Sequence, residues 1–296
     1  MRRVDFHIDD GIILGIERLR GELLATAPGG VPTFDMKQSF ILNIHSAIIA
    51  IDTLSLSTLL NRHVFGYRGA PLKKLRVGVD GDQLVQTGVM RKGVDLPFKI
   101  RATMTLTPDG RIRLHPTSVR VIGVGMGRVM RLFGMRLQSL IKLQPGHGAQ
   151  IEGDDFILDP TEMLPPPKIR GRLTSIGIKD GRVVQSFGAP NAERAPLFGS
   201  GESFPNYMYF RGGALRFGKL TMADADLALV DQAPKSTFDF SLAGYNDQLV
   251  AGYSKSTQAL GLVVHMPDFA SLKRAPAPKP PTSAKRQTAR SKTPSP

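Results

Sequence analysis

The sequence predicts an α+β fold in which long antiparallel strands cover one long amphipathic helix, with two shorter helices beside it. Two observations carry that prediction. Apolar residues recur at period two through most of the chain, in runs separated by Asp-Gly turns. Between Met126 and Leu143 the period changes: at 100° per residue Met126, Val129, Met130, Phe133, Leu137, Leu140 and Ile141 share one face, with Arg128, Arg131, Gln138, Ser139 and Lys142 opposite. A helix with one apolar face needs a sheet to cover it.

In chain order, Val4 to Ile51 reads as long strands. Phe6 and Ile8 alternate, Asp9-Asp10-Gly11 turns the chain, and Phe40, Leu42, Ile44, Ile48 and Ala50 are placed on one face of a second long strand. A short helix follows from Ser55 to Phe65, with Ser55 as its N-cap and Leu56, Leu59, Leu60 and Val64 on one side. Four strands then form a meander, turning at Asp80-Gly81-Asp82 and Pro108-Asp109-Gly110, and lead into the Met126 helix. Beyond it come a strand at Ala149 to Leu158, a rigid Pro165-Pro166-Pro167 crossing and a hairpin over Asp180-Gly181. Gly188 to Pro205 reads as a long loop, followed by strands at Asn206 to Arg211, Ala214 to Phe217 and Lys219 to Val230. Phe238, Leu242, Tyr245 and Leu249 are spaced for a third helix, and Leu260 to His265 makes a final strand.

Residues 1–272 thus form one α+β domain, and 273–296 a disordered, Pro-rich basic tail. The formal net charge is +14, and Lys273, Arg274, Lys279, Lys285, Arg286, Arg290 and Lys292 in the tail supply half of it. Such a balance favours anionic partners: a membrane surface, or nucleic acid reached through the tail. With no cysteine in the sequence, disulfides, thiolate metal sites and a Cys nucleophile are excluded. Asp5, Asp9 and Asp10 interrupt the apolar run a signal peptide would need, and no apolar stretch is long enough to span a bilayer. The expectation is a cytoplasmic protein, peripheral at the membrane.

Catalytic and metal signatures are thin. Gly123-Val-Gly125-Met-Gly127 stands where a phosphate loop would, but the third glycine of a dinucleotide fingerprint falls at Arg128. None of His7, His45, His63, His115, His147 and His265 pairs at a helical metal spacing. Ser200 and Ser203 lack the surroundings of a nucleophile elbow, and Asp224, Asp226 and Asp231 lack the glycine and spacing of a calcium loop. No catalytic residue, metal or cofactor is therefore assigned.

From Leu72 to Phe187 the chain resembles the LmeA-like bacterial family. The resemblance rests on Leu-Arg-Val-Gly-Val-Asp-Gly-Asp-Gln-Leu-Val-Gln-Thr-Gly, Leu-Pro-Phe-Lys-Ile near Phe98, Pro-Asp-Gly-Arg-Ile-Arg-Leu, the amphipathic helix and Ile-Lys-Asp-Gly-Arg-Val-Val, with Ser55-Leu-Ser-Thr-Leu-Leu-Asn61 preceding them. That family is similar to the tubular lipid-binding (TULIP, BPI-like) superfamily. The resemblance implies a strongly curved antiparallel sheet rolled around the long helix and enclosing an elongated apolar groove. It implies binding or transfer of a phospholipid or other acyl lipid, with phospholipase-like hydrolysis in the same groove as an alternative. The lipid would lie against Met126, Val129, Met130, Phe133, Leu137 and Leu140, with Leu56, Leu59 and Leu60 on another side. Arg128, Arg131, Arg136 and Lys142 would meet the headgroup or an anionic membrane surface. A third reading is a non-catalytic scaffold whose tail recruits acidic partners.

Overall fold

The computed structural model describes residues 1–122, 129–131, 141–189, 203–234 and 236–272. Its strands are β1 (Arg2–Asp9), β2 (Ile12–Ala25), β3 (Phe40–Ile51), β4 (Leu72–Asp80), β5 (Gln83–Lys92), β6 (Val94–Leu106), β7 (Ile112–Ile122), β8 (Val129–Arg131), β9 (Ala149–Glu152) and β10 (Asp155–Leu158). They continue as β11 (Lys168–Arg170), β12 (Leu173–Lys179), β13 (Arg182–Gly188), β14 (Tyr207–Arg211), β15 (Leu215–Phe217), β16 (Leu220–Met222), β17 (Asp226–Asp231), β18 (Phe238–Ser241), β19 (Tyr253–Ser256) and β20 (Leu262–Met266). Helix α1 (Thr53–Leu59) runs on as a π-helical turn, Leu60–Val64; α2 (Pro160–Met163), α3 (Tyr245–Ala251) and α4 (Phe269–Leu272) are short.

Among the described residues 55% are strand and 11% helix, with no helical run longer than 12 residues, so the fold is mainly β and not α+β. A first sheet of 11 strands has the order β12-β13-β3-β2-β1-β14-β17-β20-β19, with β11 also on β3 and β18 also on β1. A second, of seven, runs β4-β5-β6-β7-β10-β9, with β8 also on β7, and β15-β16 is a separate pair. Among the described residues no sheet curls or closes, so the expected rolled, tubular sheet is not found. The sheets share one continuous core, in which Val4, Ile12 and Ile51 of the first join Leu72, Phe98 and Ile112 of the second.

The long helix predicted over Met126 to Leu143 is corrected wherever that stretch is described. Val129–Arg131 is strand, antiparallel to β7, with Arg131 opposite Arg120 and Met130 opposite Val121. Ile141 to Leu143 is neither helix nor strand. Val-Met-Arg alternates as well as it spirals, β7 otherwise offers an unpaired edge, and Gly127 and Gly134 each weaken a helix by about 1 kcal/mol relative to Ala. Met126, Arg128, Phe133, Arg136, Leu137 and Leu140 lie outside the described residues, as does the tail from 273 to 296.

Three local readings also change. The cap of α1 is Asp52, whose carboxylate accepts from the backbone N–H of Ser55 at 2.6 Å. Ser55 is inside the first turn, and its hydroxyl accepts from the N–H of Ile13 at 3.1 Å, tying α1 to β2. Ile48 and Ala50 do not share a face with Phe40, Leu42 and Ile44. His45 is an unpaired bulge residue against β2, so the inward set moves to Ala47, Ile49 and Ile51. Gly188 fits against that bulge: its φ is +64°, and a Cβ there would stand 1.8 Å from the carbonyl oxygen of His45. Finally, Phe238 begins a strand, β18, parallel to β1, and the third helix starts only at Tyr245.

The turn chemistry holds where it is local. Asp-Gly joins β12 to β13 with φ of +51° at Asp180 and +72° at Gly181, the positive pair a type I′ turn needs. The hairpins expected at Asp80-Gly81-Asp82 and Pro108-Asp109-Gly110 are likewise present. No described helix is long and apolar enough to cross a membrane.

Candidate functional site

Alternation along β1, β2 and β3 sends Phe6 and Ile8, then Leu14, Ile16 and Leu19, then Leu42, Ile44, Ile49 and Ile51, to the same side of the first sheet. The two bulges, at Glu17 and His45, keep these rows inward past the places where a strict alternation would turn them out. From the second sheet Leu84, Met104, Ile112, Leu114 and Leu158 approach the same space. Leu56 and Leu59 of α1, and Met163 of α2 with Leu164 and Pro167 after it, complete the wall with Ile169, Ile176, Val183 and Phe187.

These side chains leave a cavity of about 110 Å³, counted as the space in which the centre of a water-sized sphere fits. Among the described residues every lining side chain except that of Gln185 is apolar. A water needs two to four polar partners and only about 10–15 Å³ of such space. The cavity therefore has room for several waters and almost nothing to hold them. Its walls suit hydrocarbon.

Among the described residues no ionisable side chain, hydroxyl or thiol lines the cavity, and the α-amino group of Met1, which does line it, donates to the Leu19 carbonyl at 2.7 Å. The His–Asp pairs lie elsewhere. His7 Nε2 bonds Asp239 Oδ1, but Asp5 and His7 alternate with the inward Val4 and Phe6 and so face away from the cavity. Thr237 donates to Asp5 in the same outer cleft. There Asp268 is held above the usual carboxylate range, first by burial and also by Asp231, Asp239 and Asp5, while the backbone N–H of Asp239 opposes the shift. His63 pairs with Asp9 at 3.2 Å and His115 with Asp155 at 2.7 Å. His147 stacks on Tyr67, His265 on Tyr253, and His45 is exposed beside Glu22. No group of three or more metal-ligating side chains occurs among the described residues.

Of the residues expected to touch lipid, Leu56 and Leu59 stand on the cavity wall, while Leu60 is buried in the core behind it. Val129 and Met130 are in β8, and the other four are undescribed. Of the expected headgroup contacts, Arg131 is in β8 and Lys142 is exposed at a separate cleft with Arg111 and Glu162. Ser200 and the Gly123 to Gly127 run are undescribed, and Ser203 is exposed. Asp224 precedes β17 and is not on a strand with Asp226, which accepts from the Tyr209 hydroxyl at 2.9 Å. Burial, then this bond, pushes the Tyr209 hydroxyl up to about 12. Asp231 is buried and accepts from Asn206 at 3.1 Å, a structural role.

Sequence reasoning missed most of the wall because it comes from strands far apart in the chain. An inward Ile looks the same in sequence whether it meets a neighbour or a void. Compared with known protein families, with curated proteins and with solved structures, the chain matches none.

Proposed function

We propose that the protein binds the acyl chain of a lipid, most simply a phospholipid, in the apolar cavity between its two large sheets. The observation that carries this reading is the wall: a space large enough for water, with Gln185 as the one polar side chain among the described residues that line it. Each methylene moved from water into such a space returns about 0.8 kcal/mol, so a chain is held without any covalent step. The want of any ionisable side chain on the described wall supports binding or transfer over hydrolysis in the same cavity. Methionines at Met104 and Met163 add flexible thioethers that repack around chains of different length.

Native mass spectrometry of the gently purified protein, followed by lipid extraction, tests the reading. An acyl lipid that leaves on denaturation is the expected result. Recovery of no lipid, together with an unchanged thermal midpoint when fatty acid or phospholipid is titrated in, would overturn it. A fluorescent phospholipid incubated with the protein is expected to stay intact.

A further inference from the structure

The outward face of the second sheet carries a row of cations that its own fold does not need. Where β4, β5, β6 and β7 pair, Arg76 stands opposite Thr87, Thr87 opposite Lys99, and Lys99 opposite Arg120, so these positions form one rung across the sheet. The backbone register places Arg131 next in line on β8. Lys73 and Lys74 add two more exposed cations on β4. Like charges directly opposite each other destabilise a sheet, as Lys99 and Arg120 do here.

Several acids of this sheet are engaged elsewhere, while Asp95 stands exposed near the β5–β6 hairpin tip. Asp80 pairs with Arg101 at 2.6 Å, Asp155 takes Arg113 and His115, and Asp109 takes Arg111. Arg76, Lys99 and Arg120 make no ion pair among the described residues, and they border a shallow groove with Lys74, Val89 and Pro97. At the tip of the β5–β6 hairpin, Val94 is 58% exposed.

We propose that this face docks on an anionic phospholipid bilayer, with the rung against the headgroups and the hairpin tip entering the interface. The four neighbouring strands from Arg76 to Arg120 span roughly 14 Å at about 4.8 Å per step, so the row fits an extended charged surface better than a single small anion. Apolar Val94, Val89 and Pro97 beside cations suit a bilayer, which offers charge outside and hydrocarbon beneath. A single-stranded nucleic acid would instead need exposed aromatic platforms, and Phe98, the one aromatic among the described residues bordering this groove, is buried in the core. The inference does not depend on the cavity holding lipid.

Vesicle co-sedimentation of the full chain tests it, with phosphatidylglycerol-containing vesicles against vesicles of phosphatidylcholine alone. Binding is expected only to the anionic vesicles and is expected to fall with salt. The double variant Lys99→Gln/Arg120→Gln is expected to weaken it by roughly tenfold or more. Its thermal midpoint should be unchanged or raised, because a like-charge opposition is relieved. Lys219→Gln/Lys255→Gln, with the same net charge but exposed cations of the β15–β16 turn and β19, is expected to bind as the parent does. Equal loss in both double variants, no loss in the first, or displacement of the protein from vesicles by an oligonucleotide held at this face would each overturn the proposal. Lipid recovered from the cavity while vesicle binding ignores Lys99 and Arg120 would sink this inference alone.

Discussion

Two halves of the apolar interior are built from different side chains and pack differently. Beneath β18 and α3 the interior is aromatic and full. Phe238 and Phe240 are wholly buried, Phe240 stacks on Phe6 at 5.6 Å, and Phe217 and Phe34 meet Tyr245 at 4.6 and 5.9 Å. Between the two large sheets it is mostly aliphatic, with Phe40, Phe187 and Phe210 set among Leu, Ile, Val and Met, and a void remains. Phe6 and Phe34 belong to both regions and mark where one gives way to the other. Rings locked edge-on and face-on fill space rigidly, whereas Leu, Ile and Met leave a wall that can move. The difference separates what holds the fold from what is free to accept a ligand.

The sharpest way to break that contrast is in the aromatic half. Phe238→Ala is expected to destabilise by about 3–5 kcal/mol in chemical denaturation, because full packing leaves no means of collapse. Next is Tyr245→Phe. The Tyr245 hydroxyl accepts from the Gly218 N–H at 3.0 Å, and burial raises its own ionisation to about 12. Losing that acceptor is expected to cost about 1–2 kcal/mol. In the aliphatic half the cost should fall although the side chain grows. Ile176→Phe, which would cost about 1–3 kcal/mol in a full core, is expected to cost less than about 1 kcal/mol and to reduce lipid recovered by extraction. A full overpacking cost there would mean that the void is not available.

The smallest effect is at the rim of the aromatic half and depends on pH. Asp268 accepts from the Asp239 N–H at 2.9 Å, yet burial raises its folded pKa above the ordinary 3.8. As pH rises past 3.8 the unfolded chain ionises first, the folded chain holds the extra proton, and stability falls across the window up to the folded pKa. Asp268→Asn keeps an acceptor oxygen and is therefore expected to be more stable than the parent at neutral pH. In melts at a series of pH values the two should converge below about 3.8. A gap that widens towards acid would reverse the assigned sign.

What the sequence made legible was local. Asp180-Gly181 and Asp80-Gly81 announced their hairpins because a two-residue turn is decided by its own φ angles. Leu56 and Leu59 were readable as one helical face, and both stand at the cavity. The Met126 stretch was not, because its arginine and methionine spacing imitates a helix at Val129–Arg131, where an open edge of β7 draws the chain into a sheet. The face of Ile48 was lost to one bulge residue, His45, which shifts the alternation for everything after it. Phe238 was misread because its strand partner is β1, at the far end of the chain.

That last pairing also sets an order of events. Val4 to His7 lie beside Phe238 to Ser241, about 230 residues later in the chain. At roughly 5–20 residues per second of synthesis, one edge of the first strand waits some 10–50 s for its partner to be made. During that time it is an open edge, able to recruit a strand from another nascent chain. Chaperone demand and inclusion-body formation should therefore depend on how quickly the ribosome reaches Ser241, and chains stopped short of it should be the ones that aggregate.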